Sequence, residues 1–235
     1  MDPGPGETYV GWADRFAHRL AETEPGLLYA NLAVRGQTSH DVRATQLDRA
    51  LGLRPDVALL VAGVNDLLRP RLDRDGLREN LMTMYARVRE TGAYVLTFTM
   101  PDMSRVAPLS AAIRPRIEYL NDVVREAGST YGLAVVDFAA EPVAGHPALW
   151  HDDRLHANSE GHRRIAEAMA EAHGLAHEDW RTQPGESALE GRLRILGREV
   201  RWIATHLAPW VWGRVRGHEF ATSGACKRPD LLPVA

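Results

Sequence analysis

Four short apolar runs, separated by segments with helical periodicity, constrain the fold of this 235-residue sequence more than any other feature. The run over residues 57–62 is apolar at every position, which predicts a strand covered on both faces. Three further runs, over 27–33, 94–100 and 133–138, also have the length and composition of buried strands.

Patterns typical of amphipathic helices lie between these runs. Trp12, Phe16 and Leu20 recur every four residues, and a last helix follows Asn158 and Ser159, either of which can cap its start. Two more stripes consist of Leu77, Leu81, Met84 and Val88, and of Ile113, Ile117, Leu120 and Val124. This alternation predicts an α/β fold with a parallel sheet and helices on both faces. The active site is then expected at the carboxyl ends of the strands.

The composition argues against several classes of protein. Hydrophobic residues make up 45% of the chain and the net charge is -3, so nucleic acid is not expected as a partner. No apolar run approaches the roughly 18 residues of a membrane span, and the N-terminus does not resemble a secretory signal. The single cysteine, Cys226, is interpreted as an incidental thiol. We expect a cytoplasmic protein.

The charge is distributed unevenly along the chain. Residues 181–235 carry a balance of +4 and the preceding residues a balance of -7. We therefore predict a domain over 1–176 and a basic, Trp-containing extension over 177–235. The extension shows helical spacing over 186–216, which predicts a helix docked on the domain or, alternatively, one in weak contact with a membrane surface. Its end, from Cys226, is expected to be disordered.

A polar motif, Gly63-Val64-Asn65-Asp66, directly follows the apolar run over 57–62. Polar side chains at the end of a buried strand are costly unless they are satisfied or used. An asparagine amide in this position can donate a hydrogen bond to a developing oxyanion. The alternative is an ordinary turn and helix cap, since Gly, Asn and Asp are all turn residues.

A second motif, Asp153-Arg154-Leu155-His156, precedes the last predicted helix. An aspartate three residues before a histidine can fix the tautomer of the imidazole and stabilise the imidazolium. A polar loop with a surface histidine is the simpler alternative. A metal site is a further alternative, although the stretch has no familiar ligand spacing. It is suggested by six potential metal ligands: His146, His151, Asp152, Asp153, His156 and His162.

A third motif, N-L-A-V-R-G over residues 31–36, follows the first apolar run. A glycine here lets the backbone approach a ligand closely and present its N–H. Taken alone, the segment is more typical of an ordinary strand-to-helix turn in which Thr38 or Ser39 caps the helix.

Together, the three motifs resemble those of the SGNH/GDSL hydrolase family, in the family's order, over roughly residues 7–175. The resemblance implies a flavodoxin-like three-layer α/β/α sandwich that hydrolyses small-molecule esters without a cofactor or metal. It implies oxyanion-hole roles for Gly36 and Asn65 and triad roles for Asp153 and His156. Asp66 is expected to support its loop, and His162 to be structural.

The family's first motif, G-D-S, carries the nucleophilic serine and does not occur in this sequence. Ser39 is expected to cap a helix, and Ser104 is the least implausible substitute, with nothing to place it beside a base. Residues 2–8 resemble the loop that follows the G-D-S motif. We therefore expect Met1 to be an internal codon, with the first strand and the serine encoded upstream.

In the family, the first strand lies between the second and the third. Without it, the runs over 27–33 and 57–62 would expose backbone groups, each costing about 1–3 kcal/mol if buried and unsatisfied. Because a domain is stable by only about 5–15 kcal/mol, we expect the chain as given to fold poorly unless these strands close up, and to be nearly inactive. The alternative function is a non-catalytic ligand-binding protein of the same fold.

Overall fold

The computed structural model describes residues 2–3, 9–104, 106–185 and 226–234. The strands are β1 (Asp2–Pro3), β2 (Tyr9–Val10), β3 (Leu28–Asn31), β4 (Val57–Leu59), β5 (Tyr94–Phe98), β6 (Ala134–Val136) and β7 (Arg228–Pro233). The α-helices are α1 (Trp12–Ala21), α2 (Ser39–Thr45), α3 (Leu47–Gly52), α4 (Val64–Leu67), α5 (Arg74–Glu90), α6 (Arg114–Tyr131) and α7 (Ser159–His173). Short 3-10 helices span Pro108–Ile113, Phe138–Ala140, Pro142–Gly145 and Pro147–Leu149.

A parallel sheet with the strand order β4-β5-β6 forms the centre of the fold. Val57 pairs with Tyr94, and Leu96 pairs with Ala134. Successive side chains of a strand point to opposite faces of a sheet. Val95 accordingly packs in the core on one face, and Leu96 in the core on the other.

Helices cover both faces of this sheet. On one face the core is built from α5 and α6, through Leu77, Leu81, Leu120 and Val124. On the other face it is built from α1 and α7, with Phe16, Leu20, Ala166 and Met169 as buried members. The predicted helical stripes are the buried faces of these helices, and the predicted α/β fold with three layers is confirmed.

Strand β3 does not join the parallel sheet within the described part of the chain. It pairs with β7 in antiparallel orientation, with Leu28 opposite Pro233 and Asn31 opposite Arg228. The prediction of a disordered end is therefore wrong for residues 228–233, because the backbone of β3 supplies a partner that no local sequence pattern reveals. Among the described strands, β4 is hydrogen-bonded on one edge only, so β3 and β4 do not close up.

The boundary at 176/177 stays a prediction, and residues just beyond it pack on the domain. Trp180 is 2% exposed, and its ring meets Phe138 edge-on at 5.4 Å. Its indole N–H donates to Glu171 at 2.6 Å. The charge balance along the sequence does not reveal the burial of this large aromatic side chain. The predicted helix over 186–216 lies outside the described residues.

Within the described ranges, none of the helices combines the length and hydropathy that crossing a membrane requires.

Candidate active site

The glycine of the G-V-N-D motif turns the chain from β4 into α4. Gly63 is the N-cap residue of α4 and has a φ of 104°, in the left-handed region that favours glycine. A Cβ here would also lie 2.8 Å from Leu120 and 3.1 Å from Leu77. Both constraints require glycine, and the turn places Asn65 and Asp66 in α4, beyond the end of the strand.

The amide of Asn65 is oriented by the backbone of the neighbouring loop. Its Nδ2 donates to the carbonyl oxygen of Gln37 at 2.9 Å. An amide nitrogen carries two N–H groups, so one N–H remains after this bond. The adjacent Gly36 has a φ of 83°, and its N–H donates to no acceptor among the described residues. Gly36 and Asn65 thus lie on two neighbouring segments joined by a hydrogen bond, and each residue has one N–H group that is available to a ligand.

Asp66 joins the same two loops at a second point. Its carboxylate accepts the backbone N–H of Ser39 at 2.8 Å and the Ser39 hydroxyl at 2.7 Å. The Ser39 hydroxyl also accepts the amide of Asn80 from α5 at 3.3 Å. The prediction that Ser39 caps a helix is wrong, since Thr38 caps α2 by accepting the N–H of Asp41.

Asp153 and His156 form the second half of the site. Nδ1 of His156 lies 2.7 Å from one carboxylate oxygen of Asp153. The other oxygen accepts the backbone N–H groups of Leu155 at 2.9 Å and of His156 at 3.0 Å. The carboxylate therefore shapes the turn and orients the ring at the same time. The His156 side chain remains 39% exposed, so its ring can be approached from solvent.

The electrostatics of this pair favour an ionised carboxylate. Burial raises the pKa of Asp153, but the hydrogen bond from His156 and those from the N–H groups of Leu155 and His156 outweigh it. The pKa of Asp153 consequently lies well below its usual value. The aspartate is charged at neutral pH and can stabilise a positive charge on the imidazole.

The loop that carries the pair is closed at its base. Trp150 and Ala157 form an antiparallel bridge, and the N–H of His151 donates to the carbonyl of His156 at 2.8 Å. Asn158 caps α7, with its Oδ1 accepting the N–H of Gly161 at 3.0 Å. A Cβ on Gly161 would overlap the carbonyl oxygen of Leu149. Glycine is therefore needed for α7 to approach the loop.

The structure describes the side chains of four serines, and none of their hydroxyls bonds to His156: Ser39, Ser104, Ser129 and Ser159. The N–H of Ser104 donates to Asp102 at 2.8 Å, as in a local turn. The hydroxyl of Ser159 accepts from Arg15 at 3.3 Å. No nucleophile is thus found among these four residues.

The remaining histidines considered as metal ligands include His146 and His162, which lie on either side of the loop. The ring of His146 accepts the N–H of Ala148 at 3.2 Å. His162 is 8% exposed within α7. In the part of the chain that the structure describes, no three His, Cys, Asp or Glu side chains converge as metal ligands.

Sequence reasoning did not identify Asn80 or the Gln37 carbonyl as neighbours of the site. The only local signal for Asn80 is a polar residue within the apolar stripe of α5, where it is 9% exposed. A backbone carbonyl leaves no signal in the residue type. Both contacts depend on the way the loops after β3 and β4 meet.

Comparison with known proteins gives one family. A model of the GDSL-like lipase/acylhydrolase family matches residues 2–164. No curated protein matches the sequence significantly.

Several solved structures resemble the fold. TesA is 24% identical, with a TM-score of 0.58 over 69% of this chain and 86% of TesA. Axe2, an acetylxylan esterase from Geobacillus stearothermophilus, is 19% identical, with a TM-score of 0.62 over 77% of this chain and 87% of Axe2. The psychrotrophic esterase EstA from Pseudoalteromonas sp. is 17% identical, with a TM-score of 0.55 over 70% of this chain and 86% of EstA.

Proposed function

Because the chain belongs to the GDSL-like lipase/acylhydrolase family, we propose that it is a carboxylic ester hydrolase that acts by acyl transfer through His156. The observation that carries the proposal is the 2.7 Å contact between Nδ1 of His156 and the ionised Asp153. A histidine held in this way by a carboxylate is suited to act as a general base. The substrate is a small-molecule ester, and no cofactor takes part.

The proton transfers follow from the orientation of the ring. When the imidazole is neutral, hydrogen bonding to Asp153 keeps its proton on Nδ1, which leaves the lone pair on Nε2. Nε2 takes the proton of the attacking hydroxyl and then gives it to the departing alcohol. The charge of Asp153 stabilises the imidazolium between these two steps.

The negative charge that forms on the substrate carbonyl oxygen is assigned to Gly36 and Asn65. The N–H of Gly36 and the second amide N–H of Asn65 are the donors. Gln37 holds the first N–H of Asn65, so the amide needs no rearrangement when the charge develops. Removing one such donor typically lowers the rate by about 10²–10³.

The attacking hydroxyl is assigned to a serine outside the described side chains. Strand β4 is paired on one edge only among the described strands, and its carboxyl end leads to Gly63. A parallel strand added at the other edge would end close to Asn65, and we assign the serine to such a strand. The chain as given is then expected to be nearly inactive.

The test compares two forms of the protein in the hydrolysis of p-nitrophenyl acetate. One is the chain as given, and the other is extended upstream to the next in-frame start. Activity of the extended form alone, abolished by His156→Ala, supports the whole proposal. Activity of the chain as given that is abolished by His156→Ala would support the hydrolase and refute the assignment of the serine.

A second candidate is a non-catalytic ligand-binding protein of the same fold. It is favoured by the absence of any contact between His156 and the four described serine hydroxyls. If both forms are folded and neither hydrolyses the ester, this candidate replaces the hydrolase.

A further inference from the structure

We propose that Ser39 is a positioning residue, which with Asp66 and Asn80 fixes the spacing between the two oxyanion donors, Gly36 and Asn65. This inference rests on the proposed function for its catalytic meaning. Its structural content, a coupling between Ser39 and the Asn65 amide, can be tested without any activity.

The first argument is that the Ser39 hydroxyl is buried and both donates and accepts a hydrogen bond. Ser39 is 0% exposed, and its hydroxyl donates to Asp66 at 2.7 Å while accepting from Asn80 at 3.3 Å. Its backbone N–H donates to the other oxygen of Asp66 at 2.8 Å. A buried hydroxyl with partners from two different helices joins them more rigidly than apolar packing does, since hydrogen bonds are directional.

The second argument is the register of the two loops. Gln37 accepts from Asn65 at 2.9 Å, and two residues further along Ser39 bonds to the residue after Asn65. These hydrogen bonds, made by Gln37 and by Ser39, fix both the distance between the two segments and their relative rotation. Gly36 directly precedes Gln37, so the position of its N–H depends on both.

The third argument is that the Ser39 end of this connection is itself anchored. Thr38 and Asp41 cap each other at the start of α2, with the N–H of Thr38 donating to Asp41 at 2.9 Å. Arg43, one turn further on, donates to Asn80 at 3.1 Å. Helix α2 is therefore held against α5. Because Ser39 is part of α2, its hydrogen bonds to Asp66 fix the position of Asp66 relative to both helices.

The primary test is nuclear magnetic resonance of the full chain, or of its upstream-extended form if that is more soluble. In the unsubstituted protein, the side-chain amide proton of Asn65 that donates to Gln37 should depart in shift from its value in a free amide and should exchange more slowly than the other proton. In Ser39→Ala we expect the two protons to converge towards the values of a free amide, and the Gly36 amide signal to move.

The matched control is Ser129→Ala. Ser129 also lies in a helix, but its hydroxyl donates only to the carbonyl of Glu126 at 2.9 Å. Its substitution should leave the Asn65 and Gly36 signals in place. If Ser39→Ala does not fold, the same spectra are taken of Asp66→Asn, which keeps the size of the side chain and removes one acceptor. A folded variant with unchanged Asn65 and Gly36 signals would overturn the inference.

The second test uses whichever form hydrolyses p-nitrophenyl acetate. Displacing an oxyanion donor without deleting it should lower kcat by about 10- to 100-fold, with KM nearly unchanged. Ser129→Ala should keep both constants. An equal loss of kcat without a change in the Asn65 signals would assign Ser39 a different role. If neither form is active, the proposed function fails while the spectra still decide the coupling.

Discussion

One carboxylate oxygen of Asp153 lies 2.7 Å from Nδ1 of His156, while its other oxygen binds the backbone N–H groups of Leu155 and His156. The same side chain therefore folds the turn and selects the protonated nitrogen of the ring. A substitution that keeps the shape can preserve the acceptor for the two backbone N–H groups while it removes the charge and changes the group that faces Nδ1.

The substitution Asp153→Asn should move the proton of the neutral His156 from Nδ1 to Nε2, because the new amide can donate to Nδ1 where the carboxylate only accepted. The ¹⁵N shifts of the imidazole report which nitrogen carries the proton. In an active form, ester hydrolysis should fall by about 10⁴-fold, as for the equivalent change in a serine protease. A proton that stays on Nδ1 would contradict this account.

The substitution Glu160→Gln should change how stability depends on pH. Hydrogen bonds from Arg163 and Arg164 outweigh burial and lower the pKa of Glu160 from 4.5 to about 2. The ionised side chain therefore contributes stability that is complete above pH 4.5 and is lost as the pH falls towards 2.

Urea unfolding of Glu160→Gln and the unsubstituted chain, compared from neutral pH downwards, checks this expectation. The variant should be less stable at neutral pH, and the difference should shrink below pH 4.5. Because the Glu160 side chain is 41% exposed, the effect should also weaken in high salt. A difference in unfolding free energy that stays constant down to pH 2 would contradict the assigned pKa.

The substitution Gly161→Ala should destabilise the protein by about 1–3 kcal/mol, since the added methyl group would overlap the carbonyl of Leu149. Gly52→Ala is the matched control. A Cβ at Gly52 meets nothing within 4 Å, so this change should be neutral or add about 0.5–1 kcal/mol. Chemical denaturation of both variants measures the contrast, and equal stabilities would refute the close approach of α7 to the loop.

The substitution Trp180→Ala should lower the free energy of unfolding by about 3–5 kcal/mol, because the side chain is 2% exposed and packs on Phe138. The exposed neighbour Gln183 supplies the control, and Gln183→Ala should have little effect. The same denaturation measurement applies. A Trp180→Ala variant as stable as the control would contradict the packing of this segment on the domain.

The sequence predicts those parts of the fold that are encoded by local periodicity. Leu77, Leu81 and Leu120 lie on the predicted faces, because a helix that covers a sheet must repeat its apolar side chains every three or four residues. Asp153 and His156 were predictable for a similar reason. They lie three residues apart and can meet within a single turn.

The contacts that the sequence does not predict join distant residues. Ser39 and Asp66 are separated by 27 positions, and nothing in either residue type names its partner. The pairing of Asn31 with Arg228 spans almost the whole chain. Its C-terminal strand is rich in proline and polar residues, which locally is typical of a disordered end.

The pairing of β3 with β7 means that β3 is synthesised long before the strand that pairs with it. Strand β3 leaves the ribosome about 200 residues before the partner that completes its hydrogen bonds, and domains begin to fold while the chain is still being made. For most of translation, the edge of β3 that pairs with β7 is therefore uncovered. A nascent chain stalled before residue 228 should thus be more prone to aggregation, and more dependent on chaperones, than one released with this strand in place.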